Sequence, residues 1–330
     1  MSVTYHSTVR DVYREAANRP DASLCCVPQP PRYLPRLVIP GVMHEMNYGC
    51  GTTVHFQDMT EGQTVLYVGV GGGLEALQLA YFTRRPGGVI AVDPVSEMRD
   101  AARRNLEEAA RLNDWFDLSY IEIRDGDALD LPVDDASIDL AAQNCLFNIF
   151  ETAGEGEAGD LERALGEMHR VLRPGGRLSM SDPISPRPMP SHLRDDAELR
   201  ARCMSGCLMY GQYIDKIVEA GFGAIEVRSR RPYRMLDRHR YGLDEDLLLE
   251  TIEVCAYRTP VPADGPCVFT GRMAIYTGAE AQFDDGKGHV LARDLPLPVC
   301  DKTAAAFERL ADRDVTVTAS TWHYAGGGCC

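Results

Sequence analysis

Long apolar runs are missing from this chain. No stretch of its 330 residues approaches the roughly 20 consecutive apolar residues that span a bilayer. The N-terminus, MSVTYHSTVRDVYREA, has no secretory apolar core. A cytoplasmic location with no membrane partner is therefore expected. Runs of Lys or Arg are also missing, and the net charge of −15 opposes phosphate backbones, which excludes nucleic acid as a natural partner. There is no Cys-x-x-Cys pair and no internal repeat. Structural zinc usually takes four ligands in such close pairs, so zinc is left with Cys203 and Cys207, read as one helical turn apart, joined by His.

The composition is that of a soluble globular protein, 45% hydrophobic and 25% charged, which suffices for a full core. Residues 1–60 read as an arm with a helix from Val9 to Ala17. The arm continues in PQPPRYLPRLVIP, which its prolines keep extended or turning, and in the glycine-flanked loop of Cys50. From 61 to 230, β-rich runs at 65–70, 88–93, 118–124, 138–144, 177–182 and 224–230 alternate with helical periods such as Met98, Ala102, Leu106 and Ala109. Such alternation predicts parallel βαβ units in a doubly wound sheet, whose ligands sit at the carboxyl ends of the strands. Residues 231–330 lose the alternation. Strands at 267–277, 289–293 and 314–319 and a helix at 303–311 predict a smaller α+β domain, ending in GGGCC.

VGVGGG (68–73) follows a strand and opens a helix. Glycine permits a tight turn and close ligand approach, and the helix start offers free amide donors. Twenty residues after Gly73, Asp93 ends the second strand, where a carboxylate can accept both hydroxyls of a ribose. Asp127, in RDGDALDLP after the third strand, could accept from an adenine amino group. The pattern G-x-G-G-G, without a second mononucleotide-binding half, does not favour a dinucleotide.

Continuing through IDLAAQNCLFNIF to RVLRPGGRLSMSDP (170–183), this order resembles the S-adenosylmethionine-dependent methyltransferases of the Rossmann-like class I fold. The resemblance implies a mostly parallel sheet and this cofactor. It departs at Tyr67, where the family usually has an acidic residue two positions before its first glycine.

YGCG (48–51), NCLFNI (144–149), CMSG (203–206) before YGQYIDKIVEAGF, and DDGKGHVLARDLPLPVCDKTAA (284–305) narrow the resemblance. They are similar to the arsenite S-adenosylmethionine methyltransferases, in particular a bacterial branch linked to arsenosugar biosynthesis. The resemblance implies that Cys50, Cys145 and Cys203 bind trivalent arsenic and are the catalytic residues. A fourth family cysteine falls on Cys25 or Cys26. Cys329 and Cys330 are accessory candidates, a mobile thiol pair on a glycine swivel. For Cys255, Cys267 and Cys300 a packing role is expected. The cofactor set implied is Tyr48, Gly69, Gly71, Gly73, Asp93, Met98, Asp127, Ala128 and Asn144. Solvated or structural roles are expected of Glu45, Glu75, His44, His55 and His323.

Trivalent arsenic is thiophilic, keeps a lone pair and suits a pyramid of three thiolates. It has no proton to lose, so methyl transfer to it needs no general base. The resemblance further implies arsenite or methylated arsenicals as substrates, and regeneration of protein thiols by thioredoxin or glutathione. A monomer is expected. Rival readings are a methyltransferase for antimonite, selenium or an organic thiol, and a non-catalytic metalloid-binding protein.

Overall fold

The computed structural model describes residues 5–21, 24, 30–60, 62–152, 159–258, 268–310 and 314–321. Cys25, Cys26, Cys267, Cys329, Cys330 and His323 lie outside them. Contacts divide the chain into two units, Met1–Val54 with Thr64–Pro260, and His55–Gln63 with Val261–Cys330.

The first unit opens with α1 (Tyr5–Asn18) and the short α2 (Gly41–Glu45). It then alternates β1 (Val65–Val68), α3 (Leu74–Thr83), β2 (Val89–Asp93), α4 (Ser96–Leu112), β3 (Ile121–Asp125), β4 (Ile138–Asn144), α5 (Asp160–Val171) and β5 (Leu172–Ile184). Three short helices follow, α6 (Ser191–Arg194), α7 (Ala197–Ala201) and α8 (Tyr210–Glu219). The unit closes with β6 (Phe222–Leu236), α9 (Arg238–Tyr241) and β7 (Leu247–Arg258). The strand order is β3-β2-β1-β4-β5-β7-β6. β1 is parallel to both β2 and β4, so the order reverses direction between β1 and β4. That reversal leaves a crevice at the carboxyl ends of the strands.

Periodicity explains the helices. α4 buries Met98, Ala101, Ala102, Asn105, Leu106 and Ala109 on one face, and α5 buries Leu161, Ala164, Leu165, Met168 and Val171. β1 and β2 are buried at every position, as parallel strands covered on both faces must be.

Two expectations change here. The run at 224–230 is part of β6, which is not a parallel strand: it pairs antiparallel with β7, and β7 pairs antiparallel with β5. The sheet therefore continues past 230 to Arg258. β7 was hidden because LLLETIEVCAYR is a nearly continuous apolar run, buried at Leu247, Leu249 and from Thr251 to Tyr257, without a following helix to mark it. Cys203 and Cys207 are not on a helix either. α7 stops at Ala201, and both cysteines lie in the turn before α8. Gly206 lets that turn press on the Asn148 carbonyl, where any β-carbon would collide.

The second unit packs α10 (Asp301–Glu308) with a three-stranded sheet, in which β8 (Met273–Tyr276) lies between β11 (Leu297–Pro298) and β12 (Val315–Val317). β9 (Gln282–Asp284) and β10 (Val290–Ala292) form a hairpin. Ala274, Tyr276, Leu291, Val299, Ala304 and Phe307 make its core. Among the described residues, no helix is long and apolar enough to cross a membrane.

Candidate active site

A cleft with about 1080 Å³ of open space lies at the β1/β4 reversal. Gly69, Gly71 and Gly73 all have positive φ (83°, 51° and 87°), a backbone that glycine adopts without strain. Gly69 and Gly71 line the cleft, whereas Gly73 does not: it caps the start of α3. Tyr48, Asp93, Met98, Asp127, Ala128 and Asn144 also line it.

Asp93 is buried and accepts a hydrogen bond from the Val95 amide at 2.9 Å. Burial pushes its carboxyl up to about 6, partly offset by that bond, by Arg99 and by the Val70 and Gly71 amides. Asp127 accepts from the Leu129 amide and from Arg10 of α1, each at 3.1 Å. Asp127 thus carries a salt bridge to the N-terminal helix.

The thiols converge at one edge of the cleft. Gly49 and Gly51 allow the Cys50 loop to lie flat on β4 and β5: a β-carbon on Gly49 would come within 2.5 Å of the Asn144 amide, and one on Gly51 would strike the Ser181 hydroxyl. Asn144 holds this loop from both sides, accepting from the Cys50 amide at 3.0 Å and donating to the Gly51 carbonyl at 2.9 Å. The Ser181 hydroxyl is 3.5 Å from Cys50 Sγ, and the Ser181 carbonyl accepts from the Cys145 amide at 2.6 Å. Cys203 Sγ in turn donates to the Cys145 carbonyl at 3.2 Å. Ser181 and the Cys145 backbone therefore link all three cysteines, each buried. Only Cys145 lines the cleft itself. As placed, no group of three or more His, Cys, Asp or Glu side chains among the described residues forms a closed ligand set.

Cys145 and Cys203 also have positive φ, 61° and 55°. Left-handed backbone costs a residue with a β-carbon about 1–3 kcal/mol and collects at functional sites. Cys255, inside β7, and Cys300, capping α10 beside Thr303, have ordinary backbone and packing surroundings.

Several supporting residues were not legible in the sequence. Asp182 follows Ser181 and accepts from Gln143, from Asn148 at 3.2 Å and from Tyr213 at 2.9 Å; burial raises its carboxyl to about 6. Asn148 also points its Nδ2 at Cys145 Sγ, 3.8 Å away, and its buried Oδ1 has no partner. Tyr233 of β6 brings its hydroxyl within 3.9 Å of Cys145 Sγ. Glu253 of β7 accepts from the Thr52 amide at 3.2 Å and from Arg231 at 2.5 Å. Glu75 is buried, not solvated. It accepts from Thr52, from Thr53 twice and from Tyr67, and burial pushes its carboxyl up despite these bonds. The signal for Glu75 was available: the acid lacking at 67 returns in the first turn of α3, and its oxygen takes the Tyr67 hydroxyl.

The methyltransferase domain family matches residues 66–180. An arsenite methyltransferase of Halobacterium salinarum is 32% identical over 56% of this chain and 44% of its own length. One from Aquipseudomonas alcaligenes is 28% identical over 78% of this chain and 72% of its own. Over much of its length the chain is thus similar to arsenite methyltransferases. An arsenic(III) S-adenosylmethionine methyltransferase from Chlamydomonas reinhardtii shares the fold, with a TM-score of 0.64 over 88% of this chain and 95% of its own, at 24% identity. The chain spans under half the length of the Halobacterium relative. The glycine loop and the buried carboxylate of Asp93 at the end of β2 fit S-adenosylmethionine.

Proposed function

We propose that this protein transfers methyl groups from S-adenosylmethionine to trivalent arsenic held by the thiolates of Cys50, Cys145 and Cys203. One observation carries the reading. Three cysteines separated by 95 and 58 positions (145 − 50 and 203 − 145) are joined beside the donor cleft, Cys50 to Cys145 through Ser181 and Cys203 to the Cys145 carbonyl, with Cys145 and Cys203 in left-handed backbone.

When bound, the donor supplies an electrophilic methyl on a sulfonium. Everything else falls to the chain. Asp93 accepts the ribose hydroxyls, and the glycine loop admits the ligand close to backbone. Arsenite gives up hydroxide as each thiol is taken, and the thiol proton leaves with that hydroxide as water. Asn144, Glu253 and Glu75 fix the loop that carries Cys50, and Asn148 Nδ2 faces the Cys145 sulfur. The unpartnered Asn148 Oδ1 offers an acceptor to a hydroxyl remaining on arsenic. Burial of all three thiols excludes water, and fixed positioning of this kind contributes roughly 7–11 kcal/mol in well-oriented cases.

Attack by the arsenic lone pair on the methyl leaves pentavalent arsenic and the neutral thioether; two protein thiolates return arsenic to the trivalent state as they form a disulfide, and thioredoxin or glutathione reopens it by thiol exchange, in detoxification or in forming arsenosugar precursors. Arsenic speciation after incubation with arsenite, S-adenosylmethionine and a thiol reductant tests the proposal. Methylated arsenic is expected; intact donor binding with no methylated product defeats the reading. Methylation of antimonite or selenite in preference to arsenite would reassign the acceptor.

A further inference from the structure

The donor cleft and the thiol edge meet at a wall that the sequence motifs did not reach. Tyr13, in the middle of α1, lines the cleft, and its hydroxyl lies 3.9 Å from Cys203 Sγ. Its ring meets that of Tyr48 edge to face, with centroids 6.3 Å apart and an interplanar angle of 76°. Tyr48 also lines the cleft and stands two residues before Cys50. These two rings therefore stand where the cleft borders the thiols.

The helix is tied down on both sides of Tyr13. His6 pairs with Asp160 at 2.8 Å, Arg10 with Asp127 at 3.1 Å and Arg14 with Glu97 at 3.3 Å. The Tyr48 hydroxyl donates to the Ala16 carbonyl at 3.2 Å. Tyr13 is thus held in the wall instead of lying loosely against it.

Aromatic faces attract cations. The donor carries a positive sulfonium, and its demethylated product is a neutral thioether. We propose that Tyr13, with Tyr48, encloses the sulfonium where the cleft meets the thiols, so that the N-terminal helix selects the charged donor over its neutral product. This rests on the donor assignment above, but not on the identity of the acceptor.

The test is equilibrium binding of S-adenosylmethionine and S-adenosylhomocysteine to the full chain without arsenic. Tyr13→Leu is expected to weaken the charged ligand about fivefold to tenfold, between the exposed and fully desolvated values for a cation over a ring, and the neutral one less than twofold. Tyr13→Phe keeps the ring and is expected to preserve the ratio of the two constants. Equal weakening of both ligands by Tyr13→Leu, or no weakening, overturns the proposal. So does a change of ratio in Tyr13→Phe, which would assign the effect to the hydroxyl. If Tyr13→Leu does not fold, as read by thermal unfolding, Tyr13→Met carries the same expectation. Failure of the unaltered chain to bind either ligand would instead overturn the donor assignment itself.

Discussion

The two halves of the active site are built in opposite ways. The donor half is local: its loop, carboxylate and second acidic position come at the ends of β1, β2 and β3, and each strand delivers its residue directly. The thiol half is assembled from distant pieces. Cys50 comes from a loop before the sheet, Cys145 from the end of β4 and Cys203 from a turn after α7, while Glu253 and Tyr233 reach in from antiparallel strands at the far edge. One half therefore tolerates change to its neighbours, whereas the other depends on several segments arriving together.

Substitutions should separate the halves. Cys145→Ser or Cys203→Ser is expected to lower methylation ~100-fold or more, as a misplaced reacting centre does, and to leave the donor dissociation constant within twofold. A fully active Cys145→Ser variant would remove the three-thiol site. Asp93→Ala should do the reverse. Losing hydrogen bonds to a charged acceptor, each about 1.5–3 kcal/mol, should weaken donor binding by ~10-fold or more while arsenite titration is unchanged.

The pH dependence of donor binding sharpens the same contrast. Ribose hydroxyls donate to an ionised carboxylate, and burial holds Asp93 at about 6 in the free protein. Its ionised fraction falls as pH drops through that value, so affinity should fall about tenfold per pH unit once below it, as calorimetry between pH 7.5 and 5 would show. Asp93→Asn should flatten that profile.

Smaller effects belong to the supports of the thiol half. Ser181→Ala and Glu253→Ala are expected to raise the KM for arsenite ~3–10-fold, each removing a bond worth about 1 kcal/mol, with donor affinity kept. Equal effects on both ligands would mean that the halves are not separable. The smallest change is in stability. Cys145→Gly relieves left-handed strain of about 1–3 kcal/mol but loses a buried thiol, so thermal unfolding should move little while methylation disappears.

How far each half could be read follows from its construction. Gly69, Gly71, Asp93 and Asp127 were legible because a strand, a tight turn and a helix leave a periodic local trace, and the structure keeps them in one cleft. Cys50, Cys145 and Cys203 could be named only through resemblance, since nothing in their spacing states that they meet. Their supports left less trace still. Glu75 looked like an ordinary surface acid of a helix, and Glu253 sat in an apolar run with no sign of which strand it would join.

The sequence by itself determined the alternating elements, the glycine loop and the class of ligand it admits, because hydrogen bonding and hydrophobic periodicity act over a few residues. Only the tertiary structure decided that β7 enters the sheet beside β5, that Ser181 lies between Cys50 and Cys145, and that Tyr13 closes the wall. Those contacts join residues tens to nearly two hundred positions apart. Which of them form is set by how whole faces pack and which close approaches a missing β-carbon allows.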